Sequence, residues 1–259
     1  MSDELVVTIR GAVAWLTINR VDKRNALTRA MWADLPGLLA GLATDERVKL
    51  LVVTGAGPTF SAGADIAELL SGDDPDDPMA DLRRHNLAAQ AALRDFPKPT
   101  LAMVRGHCIG GGLEIAVSCD FRYAETGATF GVTPARVGVV YPPAAIKPLL
   151  DLVGPATTKY LLFSGDLLTA TQAESRGLVD KVVPAGDLET EVDQFAARLA
   201  DRSQLTIRSA KETVAALLAG KDADAAAARR YEETIRSGEL AEGVGAFQAK
   251  RGARFPWRG

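Results

Sequence analysis

Residues 100–120 constrain the fold of this chain more than any other segment, because three structural signals follow one another there. Residues 101–104 are apolar and compatible with a β-strand, residues 106–112 include four glycines, and residues 113–117 begin an apolar helical pattern. The segment predicts a strand, a glycine loop and a helix. Since the first amides of a helix have no partner within it and the helix dipole adds positive potential there, we expect an anion site at this helix start.

The residues around the glycines indicate what kind of anion this is. A phosphate-binding loop places Lys and then Ser or Thr after its last glycine, whereas this chain has Leu113 and Glu114; the glycine spacing also differs from the dinucleotide fingerprint. A carboxylate at Glu114 would repel a phosphate. The pattern fits a transient oxyanion, such as a thioester enolate, beside a carboxylate that moves a proton or positions a water. The alternative is that Glu114 only complements the dipole of its own helix.

A second loop of small residues predicts the other side of the same crevice. Residues 49–54 are nearly all apolar, which favours a strand buried on both faces in a parallel arrangement, and residues 55–66 are rich in Gly and Ala. Loops at the carboxyl ends of neighbouring parallel strands direct their amides toward one crevice, where ligands commonly bind. We therefore predict a ligand site between the two loops.

The other elements are predicted from apolar periodicity, capping residues and Pro or Gly breaks. They are a β-hairpin of residues 5–9 and 13–18, a helix capped by Thr28 that runs to about residue 43, a mobile acidic loop or plain connector at 71–78, a helix at 79–96, short strands at 121–124 and 129–130, a loop at 131–143, helices at 144–153, 155–164 and 169–176, and a strand at 178–183. From residue 187 the pattern is helical. Such helices often pack on a partner subunit, so we expect an oligomer.

Composition excludes several classes of function. The net charge of −3 gives no general basic surface for nucleic acid. No apolar run approaches the roughly 20 residues of a membrane span, and no signal peptide is visible, so we expect a cytoplasmic protein. Cys108 and Cys119 lack metal-ligand spacing and are expected to be buried free thiols. With His85 and His107 as the only histidines, no metal site is expected; His107 is interpreted as a packing or hydrogen-bonding residue.

Six motifs occur in a fixed order along nearly the whole chain. They are Asn19-Arg20 with Asn25-Ala26-Leu27, residues 60–66, residues 106–114 with Asp120, Phe130-Gly131, residues 173–183, and the tail Ala246-Phe247 with Lys250-Arg251. Each motif is weak alone, but their order is specific. On these residues the chain resembles the crotonase family, also called the enoyl-CoA hydratase/isomerase superfamily.

This resemblance implies an α/β fold of the crotonase type, which is a spiral of ββα units with a C-terminal helical trimerisation region. It implies a core with the acyl-CoA site in residues 1–186, a helical oligomerisation region in residues 187–259, and a homotrimer or a dimer of trimers. The ligand would be an acyl-CoA thioester. Coenzyme A would enter as part of this substrate, and no separate cofactor is expected.

The resemblance also implies roles for individual residues. The amides of Ala64 and Gly111 would form an oxyanion hole, and Glu114 would match the first of the two glutamates that hydratases of this family place around one water. The coenzyme A groove would be lined by Lys23, Arg24, Ala26, Ala62, Asp65 and Ile66. Phe247 and Lys250 of an adjacent subunit would meet the adenine and the phosphates.

One departure from the family pattern affects the predicted reaction. Alignment by Gly138 places Pro134 where the second glutamate belongs, and proline has no proton to give. The segment with Thr133 and Tyr141 is instead similar to a loop of methylmalonyl-CoA decarboxylase-like members. We therefore expect an enoyl-CoA hydratase/isomerase family enzyme of fatty acid or acyl-CoA metabolism that forms a thioester enolate. Hydration, double-bond isomerisation and decarboxylation of a carboxyacyl-CoA stay open, as does a non-catalytic acyl-CoA-binding protein.

Overall fold

The computed structural model describes residues 3–70, 72 and 74–258, which form nine strands, ten helices and two 3-10 helices. The strands are β1 (Leu5–Arg10), β2 (Val13–Ile18), β3 (Leu50–Gly55), β4 (Thr100–Val104), β5 (His107–Ile109), β6 (Phe121–Glu125), β7 (Thr129–Gly131), β8 (Leu168–Thr169) and β9 (Lys181–Val183). The helices are α1 (Arg29–Thr44), α2 (Ala80–Arg94), α3 (Gly111–Val117), α4 (Pro134–Val137), α5 (Pro143–Ser164), α6 (Ala170–Ser175), α7 (Leu188–Ala200), α8 (Gln204–Leu218), α9 (Asp224–Arg236) and α10 (Glu239–Gln248). The 3-10 helices are Val21–Lys23 and Ile66–Glu68.

Two sheets organise these elements. The larger sheet has the order β1-β2-β3-β4-β6-β9, in which β1 and β2 form the predicted antiparallel hairpin and the other neighbours are parallel. The smaller sheet has the order β5-β7-β8. Since β3 and β4 are parallel neighbours, their carboxyl ends lie at one edge, as the sequence predicts.

Strand β3, in the interior of the larger sheet, is buried on both faces. Leu51 and Val53 of β3 belong to one core cluster with α1 and α2, whereas Leu50 and Val52 belong to a second cluster with α7. Because successive side chains of a strand point to opposite faces, such a strand needs apolar residues at every position. This explains why β3 is a nearly continuous apolar run.

Several local predictions are confirmed. The Thr28 side chain caps α1 by accepting a hydrogen bond from the Met31 amide at 3.2 Å. Cys108 and Cys119 are both buried and free. The helical region after residue 187 comprises α7–α10, and none of the described helices has the length and apolar character needed to cross a membrane. The division at residues 186 and 187 stays a prediction, and α7 packs on the larger sheet.

Other local predictions need correction. The predicted glycine loop between β4 and α3 contains β5, because His107–Ile109 pairs with β7 in the smaller sheet. The predicted loop at 131–143 contains α4, which begins at Pro134 and ends at the left-handed Gly138. Strand β9 starts only at Lys181, since the amides of Leu178 and Val179 bond the carbonyl of Ala173 in a turn. Of the acidic segment 71–78, residues 71 and 73 lie outside the described residues.

Candidate active site

The two predicted loops lie against each other, because a β-bridge joins the loop after β3 to β5. The Ser61 amide donates to the His107 carbonyl at 2.9 Å, and the Ile109 amide donates to the Ser61 carbonyl at 3.0 Å. Gly63, with a φ of 100°, allows a close approach that a side chain would prevent: a β-carbon there would lie 2.8 Å from the Ile109 carbonyl oxygen. The loop after β3 therefore touches the start of α3.

The amides of Ala64 and Gly111 come together at this contact. A β-carbon on Gly111 would lie 3.3 Å from the Ala64 amide nitrogen. The carbonyl of Gly63 and the amide of Asp65 bond Leu27 on either side of Ala64, at 2.7 and 2.9 Å. Neither the Ala64 amide nor the Gly111 amide donates a hydrogen bond within the part of the chain that the structure describes. Two neighbouring amides are thus available to bind an oxygen.

Glu114 lies in the first turn of α3 and is almost completely buried, with 7% of its surface exposed. Its Oε2 accepts hydrogen bonds from Asn86 Nδ2 at 2.8 Å and from Gln90 Nε2 at 3.3 Å, and both donors come from α2. Burial raises the pKa of the Glu114 carboxyl, while hydrogen bonds from Asn86 and Tyr141 oppose the rise. A carboxyl balanced between these effects can take up and release a proton.

Tyr141 lies beside Glu114 in the segment before α5, and each of the two side chains shifts the pKa of the other. Burial and the nearby Glu114 charge raise the pKa of Tyr141, so the phenol keeps its proton and can donate it toward the carboxylate. Both residues border a small cavity of about 10 Å³. The remaining lining side chains are all apolar: Leu113, Val117, Val132, Ala145, Ile146, Leu149 and Leu162.

Arg20 joins the two segments of the predicted coenzyme A groove by hydrogen bonds. Its guanidinium Nη1 donates to the Ala26 carbonyl at 2.7 Å and to Asp65 Oδ2 at 3.0 Å. The Ala62 amide bonds the Arg24 carbonyl at 3.0 Å, which joins the two predicted groove segments. The guanidinium lowers the pKa of Asp65 through its hydrogen bond, so Asp65 stays ionised.

Buried Asn25 fixes the turn between these groove residues. Its Nδ2 donates to the carbonyls of Ala56 and Thr59, at 2.9 and 2.6 Å, and its backbone φ is 57°. The neighbouring Arg24 has a φ of 51°. Lys23 and Arg24 are exposed, as is Ile66, whose exposed fraction is 78%. The turn thus presents two basic side chains to solvent, and the 3-10 helix after Asp65 presents an apolar one.

The other predicted site residues are less closely connected. Thr133 is half-buried before α4 and makes no capping hydrogen bond. Phe247, with 86% of its surface exposed, lies on α10, and Lys250 follows this helix. No hydrogen bond or ion pair among the described residues joins either of these two to the groove. His107 is exposed, with Nδ1 2.8 Å from the Thr129 hydroxyl.

Asn86 and Gln90 are contacts of Glu114 that sequence analysis missed. Both lie on α2, more than twenty positions before Glu114 in the chain. Their spacing of four residues places them on one face of the helix, and Gln90 belongs to a buried face that is otherwise formed by Leu82, Ala89 and Leu93. A polar residue at an apolar helix position is the one signal that could have found Gln90.

Comparisons with known proteins identify the family of this chain. A family model described as enoyl-CoA hydratase/isomerase matches residues 8–258. The 2,3-dehydroadipyl-CoA hydratase of Escherichia coli (strain K12) is 33% identical, covering 98% of this chain and 99% of its own length. The crotonyl-CoA hydratase of Syntrophomonas wolfei is 32% identical, covering 98% of each chain.

A solved structure shows the same fold. The crystal structure of an enoyl-CoA hydratase from Bacillus anthracis superposes with a TM-score of 0.90 at 26% identity, covering 98% of this chain and 99% of that one. The crotonase resemblance and its α/β fold are therefore confirmed, and the chain belongs to the enoyl-CoA hydratase/isomerase family.

Proposed function

We propose that this protein moves a proton next to the carbonyl of an enoyl-CoA thioester. In this proposal the amides of Ala64 and Gly111 bind the thioester oxygen and stabilise the enolate, and Glu114 carries the proton. Two amides that point at a developing negative charge stabilise it strongly, and removing one such donor typically costs about 3 kcal/mol. The proposal is supported by the proximity of the two unpartnered amides to the turn that bears Glu114.

Double-bond isomerisation is the reaction that this site supports best. The observation that carries this conclusion is that Glu114 is the only carboxylate lining the cavity among the residues that the structure describes. One carboxylate suffices for this chemistry: it removes a proton from Cα of a β,γ-unsaturated thioester, and the C–H electron pair enters the dienolate. The same carboxyl then returns the proton to Cγ, which leaves an α,β-unsaturated thioester.

Hydration is a second candidate, which two observations favour. The relatives named above are hydratases, and the cavity of about 10 Å³ beside Glu114 and Tyr141 is close to the smallest space that holds one water. In this reaction Tyr141 would help Glu114 to hold the water, since Pro134 cannot. Glu114 would take a proton from the water as the water oxygen bonds Cβ, and the C=C electron pair would pass into the enolate. Glu114 would then give this proton to Cα as the enolate collapses.

The surrounding residues complete the proposal. Lys23, Arg24, Ala26, Ala62, Asp65 and Ile66 would line the coenzyme A groove. Phe247 and Lys250 of an adjacent subunit would hold the adenine and phosphates in a trimer or a dimer of trimers, in the cytoplasm. Several large apolar side chains on α8–α10 are exposed and would be covered by such an assembly: Val214, Leu217, Leu218, Tyr231, Ile235, Leu240 and Val244.

A turnover assay on a mixed panel of enoyl-CoA and carboxyacyl-CoA thioesters tests the proposal. Products are separated by chromatography and weighed by mass spectrometry. A product with unchanged mass and a different retention time supports isomerisation. A product heavier by one water would show that the reaction is hydration instead. Loss of carbon dioxide would instead assign catalysis to Thr133 and Tyr141. Tight binding without any product would indicate a non-catalytic acyl-CoA-binding protein.

A further inference from the structure

Two amide side chains of α2 form a short hydrogen-bonded network that ends on one oxygen of Glu114. Gln90 Nε2 donates to Asn86 Oδ1 at 2.8 Å, which fixes the orientation of the Asn86 amide. Asn86 Nδ2 then donates to Glu114 Oε2 at 2.8 Å, and Gln90 Nε2 contacts the same oxygen at 3.3 Å. Glu114 Oε2 is thus held by two N–H donors.

The other oxygen of Glu114 is left for exchange. No amide of the described chain donates to Glu114 Oε1, and the nearby Tyr141 hydroxyl, unlike an N–H group, can accept a hydrogen bond from a proton on that oxygen. An oxygen that accepts two N–H groups is a poor place for a proton, because the proton would displace one of its donors. The proton of Glu114 therefore belongs on Oε1.

The amides also offset the effect of burial. A carboxyl that is withdrawn from water favours its neutral form, whereas hydrogen bonds to the carboxylate favour the charged form. Around α3, helix α2 supplies the two uncharged amides and the segment before α5 supplies Tyr141. Tyr141 is the only titratable partner of Glu114 among residues 3–70, 72 and 74–258. Loss of Asn86 and Gln90 would therefore shift Glu114 toward its protonated form.

The Gln90 side chain leaves a buried polar atom without a partner within the described part of the chain, and stability of the fold does not explain why a glutamine occupies this position. Its side chain is fully buried, and its Oε1 has no hydrogen-bond partner among the described atoms. An unpartnered buried acceptor destabilises the folded state, so an apolar side chain of similar size would fit this position at least as well. The amide is useful here because of its Nε2 group, which reaches both Asn86 and Glu114.

We propose that Asn86 and Gln90 are positioning residues that hold Oε2 of Glu114, so that Oε1 alone exchanges the proton with the substrate. This inference rests on the proposed role of Glu114 as the proton carrier. It assigns Asn86 and Gln90 no contact with the substrate. Their effect on the reaction passes entirely through the carboxyl group.

A direct titration of the Glu114 carboxyl tests the inference. Carbon-13 NMR follows the glutamate carboxyls of the full-length protein against pH, and the signal lost in Glu114→Gln identifies Glu114. In Asn86→Leu the pKa of Glu114 should rise by about 1 to 2 pH units, the equivalent of one hydrogen bond to a charged group. In Gln90→Leu the rise should be smaller, because its contact is longer, and stability should be unchanged or higher.

A control variant separates this effect from a general loss of packing. Leu82 lies one turn before Asn86 on α2, and Leu82→Ala removes only apolar atoms from the core. It should lower stability and leave the pKa of Glu114 unchanged. If Asn86→Leu does not fold, Gln90→Leu and Asn86→Ser give the same test. An unshifted pKa of Glu114 in the folded variants would overturn the inference.

The titration stays separate from the test of the proposed function. If Glu114 is the base, the acid limb of the pH profile of kcat/KM should shift with the pKa of Glu114 in each variant. Turnover that survives Glu114→Gln would remove Glu114 from the reaction, whatever the titration shows. A shifted pKa supports the positioning geometry even in that case.

Discussion

The indole ring of Trp32 lies directly over Gly111 and leaves no room for a side chain there. A β-carbon on Gly111 would lie 2.8 Å from Trp32 Cζ2, and Trp32 is fully buried in α1. The ring therefore cannot move aside without disturbing the main core cluster, to which Trp32 belongs. The position of the Gly111 amide is thus set by packing as well as by the helix that begins there.

The first prediction concerns Gly111→Ala. The added methyl group should destabilise the fold by about 1 to 3 kcal/mol through overpacking. It should also displace the amide proposed to bind the enolate, which lowers turnover by about 100-fold or more. Urea unfolding and a turnover assay measure the two effects.

Gly41 provides the matched control for this substitution. A β-carbon on Gly41, in the interior of α1, meets no atom within 4 Å. Gly41→Ala should therefore stabilise the protein by about 0.5 to 1 kcal/mol and leave turnover unchanged. Equal effects of the two substitutions would contradict the packing argument.

The second prediction is that Glu114→Gln stabilises the protein at neutral pH. Burial raises the pKa of Glu114 in the folded state. Between the ordinary glutamate pKa, about 4.3, and this raised value, the folded state binds more protons than the unfolded state, so stability falls as pH rises. Glutamine avoids this loss.

Urea unfolding at a series of pH values checks the sign of this effect. The gain from Glu114→Gln should be absent below the ordinary glutamate pKa, should grow as pH rises through the window, and should then stay constant. A gain that does not depend on pH would show that the ionisation of Glu114 does not cause it.

The third prediction concerns Arg20, whose side chain is only 12% exposed and bonds both Asp65 and the Ala26 carbonyl. Arg20→Lys replaces a planar fork with a single ammonium group, which cannot reproduce this geometry. We expect a loss of about 1 to 3 kcal/mol in the free energy of unfolding and a higher KM for the acyl-CoA.

Arg47→Lys is the control for Arg20→Lys. Arg47 also pairs with an aspartate, but its side chain is 74% exposed. Ion pairs on the surface contribute little to stability, so the free energy of unfolding should stay nearly unchanged. Both variants are compared by urea unfolding, and a smaller effect at Arg20 than at Arg47 would contradict the assignment of Arg20 to the groove.

The fourth prediction concerns the proposed contribution of an adjacent subunit. Phe247→Ala should raise KM for the acyl-CoA about 10-fold, equal to a loss of about 1.4 kcal/mol, and leave kcat unchanged, because the lost contact is with a non-reacting part of the substrate. Phe163→Ala, which removes another exposed aromatic ring, on α5 and outside the proposed interface, should leave KM unchanged. Steady-state kinetics decides, and equal KM for Phe247→Ala and the unsubstituted protein would exclude Phe247 from the groove.

The elements that sequence analysis predicted correctly have signals within a few residues. The apolar run of β3 and the Thr28 cap of α1 are local features, and each predicts its structure without knowledge of the rest of the chain. The juxtaposition of the two loops followed from the parallel pairing of β3 with β4. These features were sufficient to predict that the two loops meet at one edge of the sheet, whereas the choice of Ala64 and Gly111 within the loops came from the family resemblance.

The features that were missed depend on contacts between distant residues. His107–Ile109 forms a strand only because β7 lies beside it, and its three residues between glycines carry no pattern of their own. Asn86 and Gln90 are ordinary polar residues of α2 until the fold brings Glu114 to them. Apolar periodicity describes which face of a helix is buried, but not which polar group on that face meets a partner.

Exchange of the α-proton of an acyl-CoA with deuterium oxide tests the central claim most directly, because it reports enolate formation whichever reaction follows. The unsubstituted protein should incorporate deuterium next to the thioester carbonyl, as measured by mass spectrometry. Glu114→Gln should slow this exchange by about 10² to 10⁴-fold, while Glu46→Gln, at an exposed position, should not change it. Undiminished exchange in Glu114→Gln would contradict the account.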